Sequence, residues 1–236
     1  YLDLVCLGTV ADVGRLSGEN RVLVKHGLEY LSTCVSTKRP GISALKEAAG
    51  LNGKKITAGM VGFTLGPRIN ASGRLENAAM AFRLLTTESR EEAAELARAL
   101  DAVNRERQSV ETAIWEEARQ ICRKMDLAGT GAIVLSSEKW HPGVVGIVAS
   151  RIADEFYRPT ALICVKDGVG KGSARSIPGF DLYAGLAQCS DLLLGFGGHT
   201  YAAGLSVAAD KLPLLQERLS AVARERRPRC KGHQPR

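Results

Sequence analysis

Five short segments of this sequence bring together residue types able to hold a hard cation or an anion. In Leu7-Gly8-Thr9-Val10-Ala11-Asp12-Val13 an apolar run ends on a single carboxylate. Read as the end of a strand in an α/β protein, this Asp12 faces the ligand crevice and can offer oxygen to Mg²⁺ or Mn²⁺. The plainer reading is a turn aspartate that caps the next element. Gly66-Pro67-Arg68-Ile69-Asn70-Ala71-Ser72-Gly73-Arg74 sets two arginines, an asparagine and a serine among glycines. It reads as a loop in which Arg68 and Arg74 could grip phosphate through paired hydrogen bonds, with Asn70 beside them. A surface loop with chance arginines explains the same letters.

Trp140-His141-Pro142-Gly143 stands ahead of an expected helix, and a helix N-terminus favours anions. His141 could bond phosphate there or simply cap the helix. Gly172-Ser173-Ala174-Arg175-Ser176 reads as a strand, which puts Ser173 and Arg175 on one face. Gly195-Phe196-Gly197-Gly198-His199 reads as a flexible turn. Close backbone contact of Gly197 and Gly198 with a ligand, next to His199, is one reason for its glycines, and a tight structural turn is another. The pattern is neither a Walker loop nor a Rossmann fingerprint, and it holds no nucleophile elbow.

These segments need elements to place them. Leu2 to Val10 reads as a buried strand, and Arg21 to Leu31 as a helix. Pro40 to Gly50 is a short helix with Ser43 as candidate cap. Lys55 to Leu65 is apolar and mixed, and Asn77 to Leu85 is helical again. The clearest element runs from Ser89 to Met125. Ser89 and Glu92 form a capping box, and apolar residues recur from Ala93 through Leu96, Leu100, Ile114 and Ala118 to Met125 at helical spacing. Strands then alternate with helices. Gly131 to Ser136, Thr160 to Val165, Gly172 to Ser176 and Gly204 to Val207 read as strands. Val144 to Phe156 with Pro142 at its first position, Phe180 to Leu193 and Leu212 to Arg227 read as helices. The alternation predicts an α/β fold.

The chain has 236 residues, 45% of them hydrophobic and 24% charged, enough for a packed core. Its net charge of +7 favours polyanionic partners, though much of the excess lies in the tail from Arg224 to Lys231, which also reads as a solvated helix end. The six cysteines form no C-x-x-C pair and mostly sit in apolar runs, so they read as buried thiols of a reducing compartment. With no signal peptide and no apolar stretch that spans a bilayer, the cytoplasm is the expected location and no membrane contact is expected. The chain starts without Met inside an apolar run, which points to a natural protein extending upstream.

Taken in order, the runs LGTVADV, GPRINASGRL, WHPGVVGIVASRI, GSARSIPGFDLYAGL and FGGHTYAAGL resemble the RecJ family of DHH/DHHA1 phosphoesterases. The resemblance covers nearly the whole chain. It implies a metal-dependent 5′-to-3′ exonuclease specific for single-stranded DNA, serving DNA repair and recombination. It implies the C-terminal part of a DHH domain over 1–86, a connecting helix over 87–126, a DHHA1 substrate-binding domain over 127–228 and a basic tail over 229–236. In the family two Mn²⁺ or Mg²⁺ ions activate water. Asp12 matches the last metal-binding aspartate and is the catalytic residue this chain would carry. Arg74, Ser173 and Arg175 match positions that bind DNA phosphate near the 5′ end. Arg68, Asn70, Gly197, Gly198 and His199 fall on the substrate side, as does His141. Gly14 departs from the proline frequent in the family near its entrance. A single-strand-binding protein or a helicase is the implied protein partner.

No D-x-D and no Asp-His-His triplet occurs here. One carboxylate does not hold two divalent cations, so the resemblance implies a piece of an exonuclease with little activity alone. Two other readings stay open: a DHH/DHHA1 phosphodiesterase of short RNA or cyclic dinucleotides, and a non-catalytic module that binds single strands.

Overall fold

The computed structural model describes residues 1–33, 39–75 and 77–226. Cys34, Cys230 and the basic tail over 229–236 lie outside them. The chain divides into two compact units, Tyr1–Gln108 and Ser109–Arg236.

The described part of the first unit is helical: α1 (Leu2–Ala11), α2 (Gly18–Thr33), α3 (Pro40–Ala48), α4 (Ala58–Met60), a π-helical turn (Val61–Leu65), α5 (Gly66–Leu75) and α6 (Ala79–Thr86). The strand expected over Leu2–Val10 is therefore a helix. A continuous apolar run does not separate a buried strand from a buried helix. The buried positions do: Asp3, Cys6 and Leu7 recur at helical spacing, whereas a strand would bury alternate residues. Helix α2 lies close against α1 at Gly27, where a Cβ would stand 2.5 Å from the Cys6 Cβ. The buried Asp3 carboxylate faces the Arg39 guanidinium at 2.5 Å, which ties α1 to the start of α3. Pro40 opens α3, so Ser43 is not its cap and instead donates its N–H to the Arg39 carbonyl within the first turn.

The loop expected over Gly66–Arg74 is also corrected: it is helix α5. Its glycines, proline, asparagine and serine read as loop by composition. Yet Pro67 falls in the helix's first turn, where its missing N–H costs little. The π turn just ahead closes with the Gly66 N–H on the Val61 carbonyl.

Helix α7 (Arg90–Lys124) runs through the unit boundary. Ser89 caps it by accepting the Glu92 N–H at 3.2 Å. The returning half of the capping box is absent, because the Glu92 carboxylate turns to Arg83 and Thr87. Ala93, Ala97 and Leu100 enter the core of the first unit. Further along, Ile114, Ala118 and Cys122 are buried at the same helical spacing.

The second unit is a five-stranded mixed sheet with helices on both faces. Its elements are β1 (Ile133–Ser137), α8 (Val145–Phe156), β2 (Thr160–Lys166), β3 (Val169–Arg175), α9 (Leu182–Ala187), β4 (Leu193–Gly198), β5 (Ala202–Ala208) and α10 (Leu212–Arg226). The strand order is β1-β2-β3-β5-β4, parallel only between β1 and β2. Ala161, Ile163, Ala174, Leu205 and Val207 face α9 and α10 in one core. Alternation turns Ser173 and Arg175 to the other face, where α8 packs.

Three further expectations change here. Gly195–Gly198 is strand, not turn, because its ladder with β5 overrides the weak strand preference of glycine. The helix expected over 180–193 shortens to α9, capped by Asp181, followed by a 3₁₀ turn over Ser190–Leu192. Pro142 is not the first residue of α8, which starts at Val145. Cys6, Cys122 and Cys189 are buried free thiols, although only Cys6 of the three stands in an apolar run, and Cys164 is half-buried. Burial pushes the Cys6 and Cys122 thiols up to about 11. Among the described residues no helix is long and apolar enough to cross a membrane.

Candidate functional site

In the first unit, Gly66 brings α5 against the end of α1; a Cβ there would lie 3.3 Å from the Ala11 Cβ. This approach forms a cavity of about 390 Å³ lined by Leu4, Leu7, Gly8, Asp12, Ile69 and Asn70 among others. Asp12 caps the C-terminus of helix α1 rather than ending a strand, and its N–H donates to the Gly8 carbonyl at 3.0 Å. The side chain remains exposed.

The next residue departs from normal backbone geometry. Val13 has φ 56°, in the left-handed region, and is 88% exposed. Its N–H donates to the Val10 carbonyl at 3.1 Å, and the Gly14 N–H donates to that of Thr9 at 2.9 Å. These paired closures form a Schellman motif, which ordinarily uses glycine where Val13 stands. A β-branched residue there is strained, and such strain is often kept beside functional groups.

Asn70 is exposed on the same cavity, and Arg74 follows one helical turn later on the same face of α5. Arg68 is used differently. Its Nε donates to Asp101 at 2.9 Å and its Nη1 to the Thr64 carbonyl at 2.7 Å, so it ties α5 to α7. Arg105 takes the other Asp101 oxygen at 3.1 Å. Among the described residues no group of three or more His, Cys, Asp or Glu gathers as metal donors. Asp12 and Asn70 alone do not make a two-metal centre.

In the second unit, the first turn of α8 sits over β3. A Cβ on Gly146 would lie 3.0 Å from Arg175 Nη2 and 3.2 Å from Ser173 Oγ. Arg175 Nη1 donates to the Ala174 carbonyl at 2.9 Å, which anchors the guanidinium on its own strand. A hydroxyl, a guanidinium and a helix's first turn thus come together, a combination suited to an anion. His141 shapes the turn that starts α8. Its carbonyl accepts the N–H groups of Val144 at 3.0 Å and Val145 at 3.2 Å, and its Nδ1 accepts that of Gly143 at 3.1 Å. A neutral ring then carries its proton on Nε2.

Register extends this face outward. Ser173 pairs with Gly204, which pairs with Gly197, and all three share a face with Arg175. The result is a shallow trough of about 400 Å³ with Lys171, Gly195, Gly197, Gly204 and Ser206 along it. Gly198 lies on the other side of the strand at φ 146°, and a Cβ there would stand 2.4 Å from the Ala202 carbonyl. The glycine is required by the hairpin itself. His199 is exposed and donates its N–H to the same carbonyl at 2.8 Å.

The residues that hold this arrangement carry little signal in the sequence. Trp140 Nε1 donates to Glu117 at 2.9 Å and so fixes the His141 turn to α7. Trp115 lies between the guanidinium groups of Arg119 and Arg151, 4.7 and 4.2 Å from its ring centre. Glu111 holds Arg151 at 3.1 Å, which seats α8 against α7. Trp140 stands beside His141 in the sequence and is the one available pointer to this support.

The chain is similar to known proteins over nearly all of its length. Residues 129–225 match the DHHA1 domain. The chain is 43% identical over 224 residues to the single-stranded-DNA-specific exonuclease RecJ of Bacillus subtilis, covering 94% of this chain and 28% of that protein. It is 41% identical over 232 residues to RecJ of Escherichia coli, covering 95% of this chain and 40% of that one. The crystal structure of Thermus thermophilus RecJ in complex with Mg²⁺ matches with TM-score 0.85 and 38% identity, over 95% of this chain and 34% of that chain. A structure of exonuclease RecJ bound to manganese matches with TM-score 0.81 and 40% identity, over 97% of this chain and 55% of that chain. The chain thus spans between 28% and 40% of the length of these two curated relatives. Over nearly its whole length the chain is similar to RecJ proteins, and residues 129–225 match the DHHA1 domain.

Proposed function

We propose that this chain forms the strand-holding part of a 5′-to-3′ exonuclease that acts on single-stranded DNA. The observation that carries the reading is the placement of Ser173 and Arg175 against Gly146 at the start of α8. The planar guanidinium grips two oxygens of a terminal phosphate, and the Ser173 hydroxyl donates to a third. The trough beside them, paved by Gly197 and Gly204, lets the following backbone lie close to the sheet. Sequence identity near 40% to proteins named single-stranded-DNA-specific exonucleases supports that choice of ligand.

Asn70 and Arg74 contact the strand from α5, and Arg68 positions that helix through Asp101. Asp12 contributes one metal-facing carboxylate. The solved relatives contain Mg²⁺ or Mn²⁺, but the donors described here do not make such a centre, so the work of these residues is to bind and orient. Single-strand-binding protein or a helicase is the proposed protein partner, and the cytoplasm the proposed location.

The test is binding of labelled single strands with and without a 5′ phosphate, followed by fluorescence anisotropy. The phosphorylated strand should bind more tightly, and Arg175→Ala should remove the difference. Equal affinity for both ends in the unmodified chain sinks the reading.

A further inference from the structure

The first unit has a second hollow, of about 450 Å³, between α2 and the segment that leads into α4. It shares no lining residue with the Asp12 cavity. Its floor is Val24 and Ile56, only 3% and 2% exposed, and Leu28 lines a wall. Three cations surround it: Arg21 and Lys25, one turn apart on α2, and Lys55. All three are exposed. None is ion-paired among the described residues. The one carboxylate in the lining, Glu29, lies 3.1 Å from His26 Nδ1.

Other exposed cations of the unit, Arg15, Lys54 and Arg98 among them, also have no ion pair among the described residues, but Arg21, Lys25 and Lys55 gather round one hollow. Arg39, Arg68, Arg83 and Arg105 each face an acid: Asp3, Asp101, Glu92 and Asp101. Arg21, Lys25 and Lys55 instead surround an apolar hollow with like charge. Like charges four residues apart on a helix repel by about 0.2–0.5 kcal/mol. An anion with an apolar body relieves that repulsion and fills the hollow above its buried floor.

We propose that this hollow is a further single-strand contact, which rests on the functional reading above. A base and its sugar lie against Val24, Leu28 and Ile56, while the flanking phosphates meet Arg21, Lys25 and Lys55. Thr57 Oγ1, a polar group of the lining, already accepts the Met60 N–H at 3.3 Å. With so little to read a base edge, the contact is indifferent to sequence.

The experiment measures binding of labelled 5′-phosphorylated oligothymidylate to the whole chain over a range of salt. Each phosphate neutralised on a single strand contributes about 0.7 to the slope of log affinity against log salt. Changing Arg21, Lys25 and Lys55 to Gln should therefore flatten the slope by about 2 in the triple variant, and by about a third of that in each single variant. The preference for a 5′ phosphate should stay as in the parent chain. An unchanged slope in variants that still prefer the 5′ phosphate overturns this inference alone. A parent chain that binds no single strand overturns the functional reading with it. Loss of binding to an acidic peptide in the triple variant, with the DNA slope unchanged, overturns it in favour of a protein partner.

Discussion

Gly146→Ala separates the fold of the second unit from the phosphate-binding role assigned to it. The added Cβ would lie 3.0 Å from Arg175 Nη2, 3.2 Å from Ser173 Oγ and 3.3 Å from Ser173 Cβ. The guanidinium and the hydroxyl can rotate aside, and the Ser173 Cβ, fixed to its backbone, need give by only a few tenths of an ångström. Alanine is better than glycine inside a helix by about 0.5–1 kcal/mol, with less of that gain expected near the first turn. Stability should therefore hold or rise slightly. Binding should move the other way. A displaced guanidinium loses a hydrogen bond to a charged group worth about 1.5–3 kcal/mol, which is roughly a tenfold to hundredfold loss of affinity. That loss should appear for 5′-phosphorylated strands and not for 5′-hydroxyl strands. Thermal unfolding and fluorescence anisotropy on one preparation measure both effects. Equal weakening for both strand ends, or unaltered binding in a stably folded variant, would refute the placement of the phosphate.

Other substitutions probe the frame. Val13→Gly removes a β-branched side chain from the left-handed region at φ 56° and should raise the unfolding free energy by about 1 kcal/mol. The urea midpoint should rise with an unchanged m-value. Gly41→Ala would put a Cβ 1.7 Å from the Leu84 carbonyl oxygen, so α3 and α6 must part at a cost of about 3 kcal/mol or more. Loss of cooperative melting of the first unit is the expected readout. The buried thiols give a pH effect of defined sign. Cys6 and Cys122 sit near 11 in the fold, against 9.0 when unfolded. The unfolded chain therefore releases protons first, and stability is lost as pH rises from about 9 to 11, by roughly 2–3 kcal/mol per thiol at the top of that window. Cys6→Ala with Cys122→Ala should flatten the alkaline limb of the urea-midpoint profile, and an unchanged limb would assign it to other groups.

The fold was legible wherever periodicity was unambiguous. Helix α7 declared itself because charged faces flank its buried stripe, so no other element fits those positions. Four of the five strands of the second unit were legible for a related reason, as in β2, an apolar run between turn residues, whereas the glycines of β4 read as a turn. Helices α1 and α5 were not. In α1 nearly every residue is apolar, so the sequence carries no contrast between a period of 2 and one of 3.6. In α5 the composition says loop, while the close approach of Gly66 to Ala11 and the Arg68 tie to Asp101 hold the segment helical. Both are tertiary contacts, and tertiary contacts routinely override local preference.

The site residues divide along the same line. Arg68, Arg74 and Arg175 are identical in type, and each stands near glycines in the sequence. Strand alternation was enough to put Ser173 beside Arg175, because β3 is regular. Nothing comparable could show that Arg68 meets Asp101, 33 residues away, and so serves to place α5. The glycines divide in the same way. Gly170 and Gly172 are forced by packing, since a Cβ on either would stand 2.6 or 2.7 Å from Ile163. At Gly197 nothing lies within 4 Å, so the fold would admit a side chain there. Glycine weakens a strand interior, and its presence at an open position needs a cause outside the chain's own packing. On the proposed function, a strand of DNA lying along the trough would supply that cause. Gly197→Ala should then leave the melting temperature equal or higher while weakening binding of strands that extend past the terminal phosphate. If instead a bare 5′ mononucleotide lost as much affinity as a long strand, the trough would not be the path the backbone follows.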